Sequence, residues 1–231
     1  MKLVKIVYHE CNTMQFGFII EHIVDLLFPP SEAVRSAETK TAEELYREIP
    51  RARDLPHAAL RALFDYHHPL MRTLIWELKY RGNKKVARLL ASTLYDSLIE
   101  DGADLLVFSN FNNPLIIPVP LSTKRFRERG FNQINLIIEE LKKLDRSRTF
   151  MFPNNIVRKI KHTETQTSIK NKKHRAQNIA GCFEVTNSAS IQSRNIIILD
   201  DVVTTGSTIE EIRKTLLAAG ARKVIGVALA H

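Results

Sequence analysis

Asp200 and Asp201 stand side by side, and after two valines the chain continues Thr204-Thr205-Gly206-Ser207-Thr208. Two neighbouring carboxylates with no base between them accept hydrogen bonds from a vicinal diol and can hold a hydrated Mg²⁺ nearby. The run that follows offers hydroxyl donors around Gly206, where the missing Cβ lets backbone approach a ligand closely. A monoester phosphate fits such a cradle. Phosphate beside diol describes ribose 5-phosphate. A nucleoside-triphosphate P-loop fits poorly, because it needs a Lys just before its final Ser/Thr and Gly206 occupies that place.

The flanking residues supply the elements that would position this turn. Ile196 to Leu199 are four consecutive apolar residues, the pattern of a buried parallel strand. Beyond the turn, Ile209, Ile212, Leu216 and Ala219 keep one face of a helix over 207–219, which stops at Gly220. A strand–turn–helix of this kind is where α/β sheets bind phosphorylated ligands, on the free N–H groups of the helix's first turn. Its bland alternative is a strand-to-helix connection with two solvated acids. Acidic pairs also end strands in phosphoacceptor domains, but without a Thr-Thr-Gly-Ser-Thr turn opening the helix.

Periodicity elsewhere predicts helices near 16–27, 70–80, 84–99 and 130–143, and strands at 115–119, 155–159, 182–186, 195–199 and 223–229. A short helix is expected at 41–48, between Thr39/Thr41 and Pro50. Such alternation implies an α/β fold, a mostly parallel twisted sheet flanked by helices, with a helical N-terminal extension. There is no internal repeat and no low-complexity tract. With 231 residues, 44% of them apolar, the chain can bury one sizeable core. Two cysteines and no signal-peptide pattern exclude a secreted disulfide scaffold and point to the cytoplasm. The most membrane-like stretch, Phe16 to Phe28, is short and interrupted by Glu21, His22 and Asp25, so no membrane insertion is expected.

The net charge of +9 is concentrated. Residues 122–130 carry Lys124, Arg125, Arg127 and Arg129 against Glu128. Residues 158–178 carry Arg158, Lys159, Lys161, Lys170, Lys172, Lys173 and Arg175 against Glu164. A solvated face explains one basic run. Two runs, each following a predicted strand beside a phosphate cradle, favour a polyanion in one crevice.

At every position the acid pair and turn resemble the motif of the type I phosphoribosyltransferases, which bind phosphoribosyl pyrophosphate (PRPP). Residues 115–133, from Leu-Ile-Ile-Pro-Val-Pro-Leu-Ser through Arg-Gly-Phe-Asn-Gln, resemble the signature of the ComF (GntX-like) family, associated with competence for DNA uptake. The likeness continues through Arg158, Lys161, Gln166, Arg175, Asn178 and Gly181-Cys182-Phe183. Upstream it takes in Leu26-Leu27-Phe28-Pro29-Pro30, Tyr66-His67-His68-Pro69 and Leu78-Lys79-Tyr80-Arg81-Gly82.

The resemblance implies the type I phosphoribosyltransferase fold over 66–231, with 1–65 as extension. It implies a PRPP site in which Asp200 and Asp201 hold the ribose hydroxyls, with Mg²⁺ nearby or through water. Val202, Val203, Thr204, Thr205, Gly206, Ser207 and Thr208 would grip the 5-phosphate. Val119, Pro120, Leu121, Ser122, Lys124 and Arg125 would meet the pyrophosphate, although Pro118 and Pro120 lack N–H groups. The 160–176 segment would be the hood, its Lys170, Lys172, Lys173 and Arg175 neutralising the leaving group. The expected reaction transfers the phosphoribosyl group to a nitrogenous acceptor. The alternative is a non-catalytic factor holding single-stranded DNA or a nucleotide for the competence machinery. A homodimer is compatible with either.

In one respect the chain departs from that family. There the Leu-Phe-Pro-Pro segment leads into a four-cysteine zinc ribbon, whereas here it runs into Ser31-Glu32-Ala33-Val34, and Cys11 and Cys182 are the only cysteines. No zinc is expected. Residues 31–57 read as a helical substitute or a poorly ordered surface segment. Trp76, Tyr80 and Phe131 have the spacing of core residues rather than of base-stacking platforms. His67-His68, with no third ligand near in sequence, reads as a helix start or packing pair rather than a metal site, and Asn132 and Gln133 as capping groups rather than substrate contacts.

Overall fold

A computed structural model describes residues 29–53, 55, 59–109, 111–161 and 179–231. The expected helix at 16–27, Cys11, Gln166, Asn178 and most of the 160–176 loop, including Lys170, Lys172, Lys173 and Arg175, lie outside the described residues.

The elements run α1 (Glu32–Ala37), α2 (Ala42–Glu48), β1 (Leu60–Phe64), α3 (Pro69–Tyr80) and α4 (Lys84–Ser109). Then follow β2 (Leu115–Pro118), α5 (Thr123–Arg129), α6 (Gln133–Leu144), β3 (Val157–Lys159) and β4 (Phe183–Val185). After a 3-10 turn come β5 (Asn195–Val202), α7 (Ser207–Ala218) and β6 (Lys223–Ala230). Four strands form a parallel sheet in the order β1-β6-β5-β2. The expected strands at 155–159 and 182–186 do not join it; β3 and β4 make a separate antiparallel ribbon.

Alternation along the strands divides the core in two. Ile197, Leu199, Ile225, Val227 and Leu229 face α3, α4 and α6. Ile196, Ile198, Val224 and Ala228 face α7 and the ribbon. A Cβ at Gly226 would collide with Ile209 of α7, so glycine lets that helix sit close on β6. The extension packs on the first of these faces: Val34, Ala37, Leu45 and Ile49 are fully buried there. Glu38 also takes Asn83 Nδ2 at 2.9 Å and Lys85 Nζ at 3.0 Å. Thr41 and Glu44 close a reciprocal capping box on α2, which confirms the short helix read near 41–48.

Three features were not legible beforehand. β1 is a five-residue edge strand interrupted by exposed Arg61, too weak in pattern to signal itself. Helix α4 runs ten residues past the expected end at 99, through Gly102, whose helical penalty of about 1 kcal/mol does not stop a helix already propagating. Helix α5 buries none of its residues and so has no apolar periodicity.

Because the sheet is parallel, β2, β5 and β6 all end at the same edge. From β5 the chain turns into α7 on one face of the sheet; from β2 it proceeds through α5 to α6 on the other. The point between β5 and β2 is therefore a topological switch, where the outgoing connections part and leave a crevice.

Candidate active site

The turn after β5 forms one wall of that crevice. Val203 is buried and its N–H donates to Ala230 O at 2.9 Å, carrying strand pairing one residue past Val202. Val202 and Val203 therefore place the turn, with their side chains packed into the core. Thr204 is exposed. Thr205 Oγ1 lies 2.8 Å from Ser207 Oγ and accepts from Ser207 N at 3.4 Å. Gly206 occupies the N-cap of α7 at φ +75°, a left-handed conformation that costs other residues about 1–2 kcal/mol. It offers no capping side chain, so the opening amides of α7 are the groups a phosphate would take, assisted by Thr205, Ser207 and Thr208.

The opposite wall follows β2. Val119 N–H donates to Leu199 O at 2.9 Å, and Val119 O accepts from Asn132 Nδ2 at 3.0 Å. The amide of Val119 is thus engaged, Pro120 has none, and Leu121 and Ser122 carry the amides left for an anion. Ser122 Oγ caps α5 through Arg125 N at 3.3 Å, and Gly130, at φ +82°, ends that helix. This Ser…Gly punctuation is the signal by which α5 could have been found. Lys124 and Arg125 sit exposed in its first turn.

The two acids differ sharply, because successive strand residues point to opposite faces. Asp201 lies on the α3/α6 face at 4% exposure. Lys79 Nζ is 2.9 Å from its Oδ1, and Gln133 Nε2 donates to its Oδ2. Gln133 Oε1 in turn accepts from Arg129 at 2.8 Å. Asp201, expected to hold the ribose hydroxyls together with Asp200, instead has its carboxylate buried in a closed network with Lys79 and Gln133.

Asp200, on the α7 face, remains partly exposed; its Oδ1 accepts from Asp201 N–H at 2.9 Å. Burial and the neighbouring Asp201 charge push its pKa up from 3.8 to about 7, against the opposing pull of that N–H, Lys79 and Arg125. Arg125 also acts on Lys159 of β3, whose pKa is lowered chiefly by burial. The α5 start, the β3 end and Asp200 therefore converge electrostatically. The β3–β4 ribbon is tied to the same wall by Gly181 N–H, which donates to Glu211 of α7 at 2.7 Å.

Lys79 and Gln133 are the members of this site that sequence reasoning missed, while Arg129 and Lys159 entered it only as members of the two basic runs. Gln133 is a network residue, while Asn132 alone caps α6, accepting from Ile134 N at 3.1 Å. His67 and His68 do form a helix start: His68 is the N-cap residue of α3, and His67 pairs with Asp65 at 3.0 Å. Trp76 and Tyr80 are corrected from core to surface, at 47% and 50% exposure, and Phe131 is half-buried against Gly82.

The donor set bears on a metal. Among the described residues no three His, Cys, Asp or Glu side chains group to hold an ion. Asp200 offers a carboxylate to the crevice while Asp201 is occupied by Lys79 and Gln133. One carboxylate beside a phosphate cradle suits Mg²⁺ carried on substrate phosphates, which binds through one or two carboxylates. A cavity of about 370 Å³ lined by Arg61, Arg213, Leu217, Arg222 and Lys223 opens at the other end of the strands, away from this crevice.

Fold and site together define a phosphoribosyltransferase-type domain, and residues 141–231 match the family model of the phosphoribosyl transferase domain. Competence protein F of Haemophilus influenzae is 36% identical over 163 residues, 69% of this chain and 66% of that protein. The DNA utilization protein YhgH of Escherichia coli (strain CFT073) is 32% identical over 170 residues, 73% of this chain and 70% of the relative. The chain belongs to the ComF (GntX-like) family, with the type I phosphoribosyltransferase fold. It spans about two thirds of the length of these relatives. A hypoxanthine phosphoribosyltransferase from Trypanosoma cruzi aligns with 66% of this chain and 64% of its own, at 14% identity and a TM-score of 0.37. At that level the likeness adds nothing to the assignment. No helix among the described residues is long and apolar enough to cross a membrane.

Proposed function

We propose that the chain binds PRPP together with Mg²⁺ and transfers its phosphoribosyl group to a nitrogenous acceptor. The observation that carries this reading is the Thr204–Thr208 turn opening α7 directly beyond Asp200, at the switch point of the sheet. The 5-phosphate rests on the α7 amides and the hydroxyls of Thr205, Ser207 and Thr208. Asp200 accepts the ribose diol, held by the backbone N–H of Asp201, whose own carboxylate is occupied by Lys79 and Gln133. Leu121 and Ser122 amides, with Lys124, Arg125 and Lys159, face the pyrophosphate.

In the reaction the C1–O bond breaks and pyrophosphate leaves with the electron pair. The acceptor nitrogen forms the new bond to C1 and gives up its proton to solvent. Charge accumulates on the leaving group, which is where preorganised cations act most strongly. Lys170, Lys172, Lys173 and Arg175 belong to this task on sequence grounds. Mg²⁺, when bound beside Asp200, supplies further charge neutralisation on the phosphates. No zinc is assigned to the protein, and elemental analysis of the purified chain checks this.

A second reading, a non-catalytic factor for single-stranded DNA, is favoured by α5, which presents Lys124, Arg125, Arg127 and Arg129 on a helix with no buried face. Calorimetric titration with PRPP and Mg²⁺, beside a single-stranded oligonucleotide at two salt concentrations, separates the two. PRPP binding with weak DNA affinity selects the enzyme. Salt-sensitive DNA binding without PRPP binding selects the alternative.

A further inference from the structure

Trp76 and Tyr80 are large aromatic residues on the surface, one turn apart on α3, with ring centroids 5.5 Å apart. Each is flanked by an arginine. Arg81 lies 5.7 Å from the Trp76 ring and is aimed there by Glu77, whose carboxylate is 3.4 Å from its Nε. Arg129 lies 5.4 Å from the Tyr80 ring while also donating to Gln133. Gln133 donates to Asp201, and Lys79, the residue before Tyr80, is ion-paired to that same carboxylate. An unbroken run of contacts therefore leads from Trp76 through Tyr80, Arg129 and Gln133 to Asp201, whose backbone N–H in turn donates to Asp200.

Burial does not explain this arrangement. Residues 70, 71, 74, 75, 77 and 78 of α3 face inward, and Trp76 and Tyr80 lie outside that set. A solvated helix face has no use for two exposed aromatic rings, each with an arginine over one ring face that is held in turn by a buried carboxylate or amide. An exposed π-face beside an arginine suits a planar, electron-delocalised ring, which gains stacking and cation–π contact together.

Building on the reading of the crevice as a ribose-phosphate site, we propose that Tyr80 and Trp76 form the stacking platform for the planar heterocyclic base of the acceptor. The phosphoribosyl product would then be a nucleoside 5′-monophosphate, with ribose at Asp200 and base on Tyr80.

Trp76 is the one tryptophan in the chain, so its fluorescence reports the platform directly. The full chain is titrated with ribose 5-phosphate, inosine and adenosine 5′-monophosphates, adenosine, and a single-stranded oligonucleotide. The expected result is that the nucleotides and adenosine quench Trp76 and ribose 5-phosphate does not. The nucleotides should bind at least about 5-fold tighter than ribose 5-phosphate, the low end of base–aromatic stacking. Tyr80→Ala should remove that difference and leave ribose 5-phosphate affinity unchanged; Tyr80→Phe should restore it. Equal affinities with and without a base, an equal loss of both in Tyr80→Ala, or quenching by the oligonucleotide alone would overturn the platform. Failure of ribose 5-phosphate to bind while adenosine still quenches would instead refute the sugar-phosphate reading and leave the platform standing.

Discussion

The two sides of β5 carry neighbouring carboxylates under opposite conditions. On the α3/α6 side Asp201 is buried, ion-paired and hydrogen-bonded, so its charge is matched and its position fixed. On the α7 side Asp200 has one backbone donor, an uncapped helix start beyond it and a pKa lifted to about 7. One side is built to be stable and the other to be completed by a ligand. An uncapped helix start and a carboxyl whose charge is disfavoured by burial and a like neighbour, gathered on a single side, are features of a binding site.

The sharpest way to break the comparison is to neutralise the acids one at a time. Asp201→Asn strips the counter-ion from Lys79, whose side chain is only 18% exposed. Removing one partner of a buried pair costs about 3–5 kcal/mol, and the residual exposure of Lys79 reduces this to about 2–3 kcal/mol of folding stability, read by urea unfolding. Equal stability of mutant and wild type would mean that the Lys79–Asp201–Gln133 network is not structural.

Asp200→Asn should do the reverse. In the unfolded chain this carboxyl ionises near 3.8, but the folded chain holds its proton to about 7. The wild type therefore loses stability as pH rises from about 4 to 7, since the unfolded state gives up the proton first. The variant should lack that slope and be more stable at pH 8, while PRPP and Mg²⁺ bind at least about 10-fold more weakly, a loss of about 1.4 kcal/mol. Wild-type affinity should accordingly strengthen as pH rises through 7. A variant that binds PRPP normally would remove Asp200 from the diol site.

Smaller effects divide the crevice itself. Gly206→Val must adopt φ +75° with a branched side chain, so it should lose about 1–2 kcal/mol of stability and weaken ribose 5-phosphate and PRPP alike. Replacing Lys170, Lys172 and Lys173 together by Ala should spare ribose 5-phosphate, which has no pyrophosphate, and weaken PRPP or slow its turnover. If the lysine variant lost both ligands equally, the separation of phosphate turn from leaving-group charge would fail.

Local pattern determined much of this molecule. The acid pair, the Thr204–Thr208 turn, the strand before it and helix α7 are contiguous, and their chemistry follows from residue type and period alone. So do the capping role of Asn132 and the parallel sheet of β2, β5 and β6. Only the tertiary structure decided what each acid touches. Period-2 alternation requires that Asp200 and Asp201 diverge, but Gln133 lies 68 residues from Asp201, and no local signal couples them. Trp76 and Tyr80 read as core because helical spacing shows that residues share a face without showing whether another element covers it. Edge strand β1 and helix α5 escaped for a related reason: one is defined by its pairing with β6, the other by caps on a helix that buries nothing. Burial and pairing arise from elements distant in sequence, so they become definite only when the chain has folded.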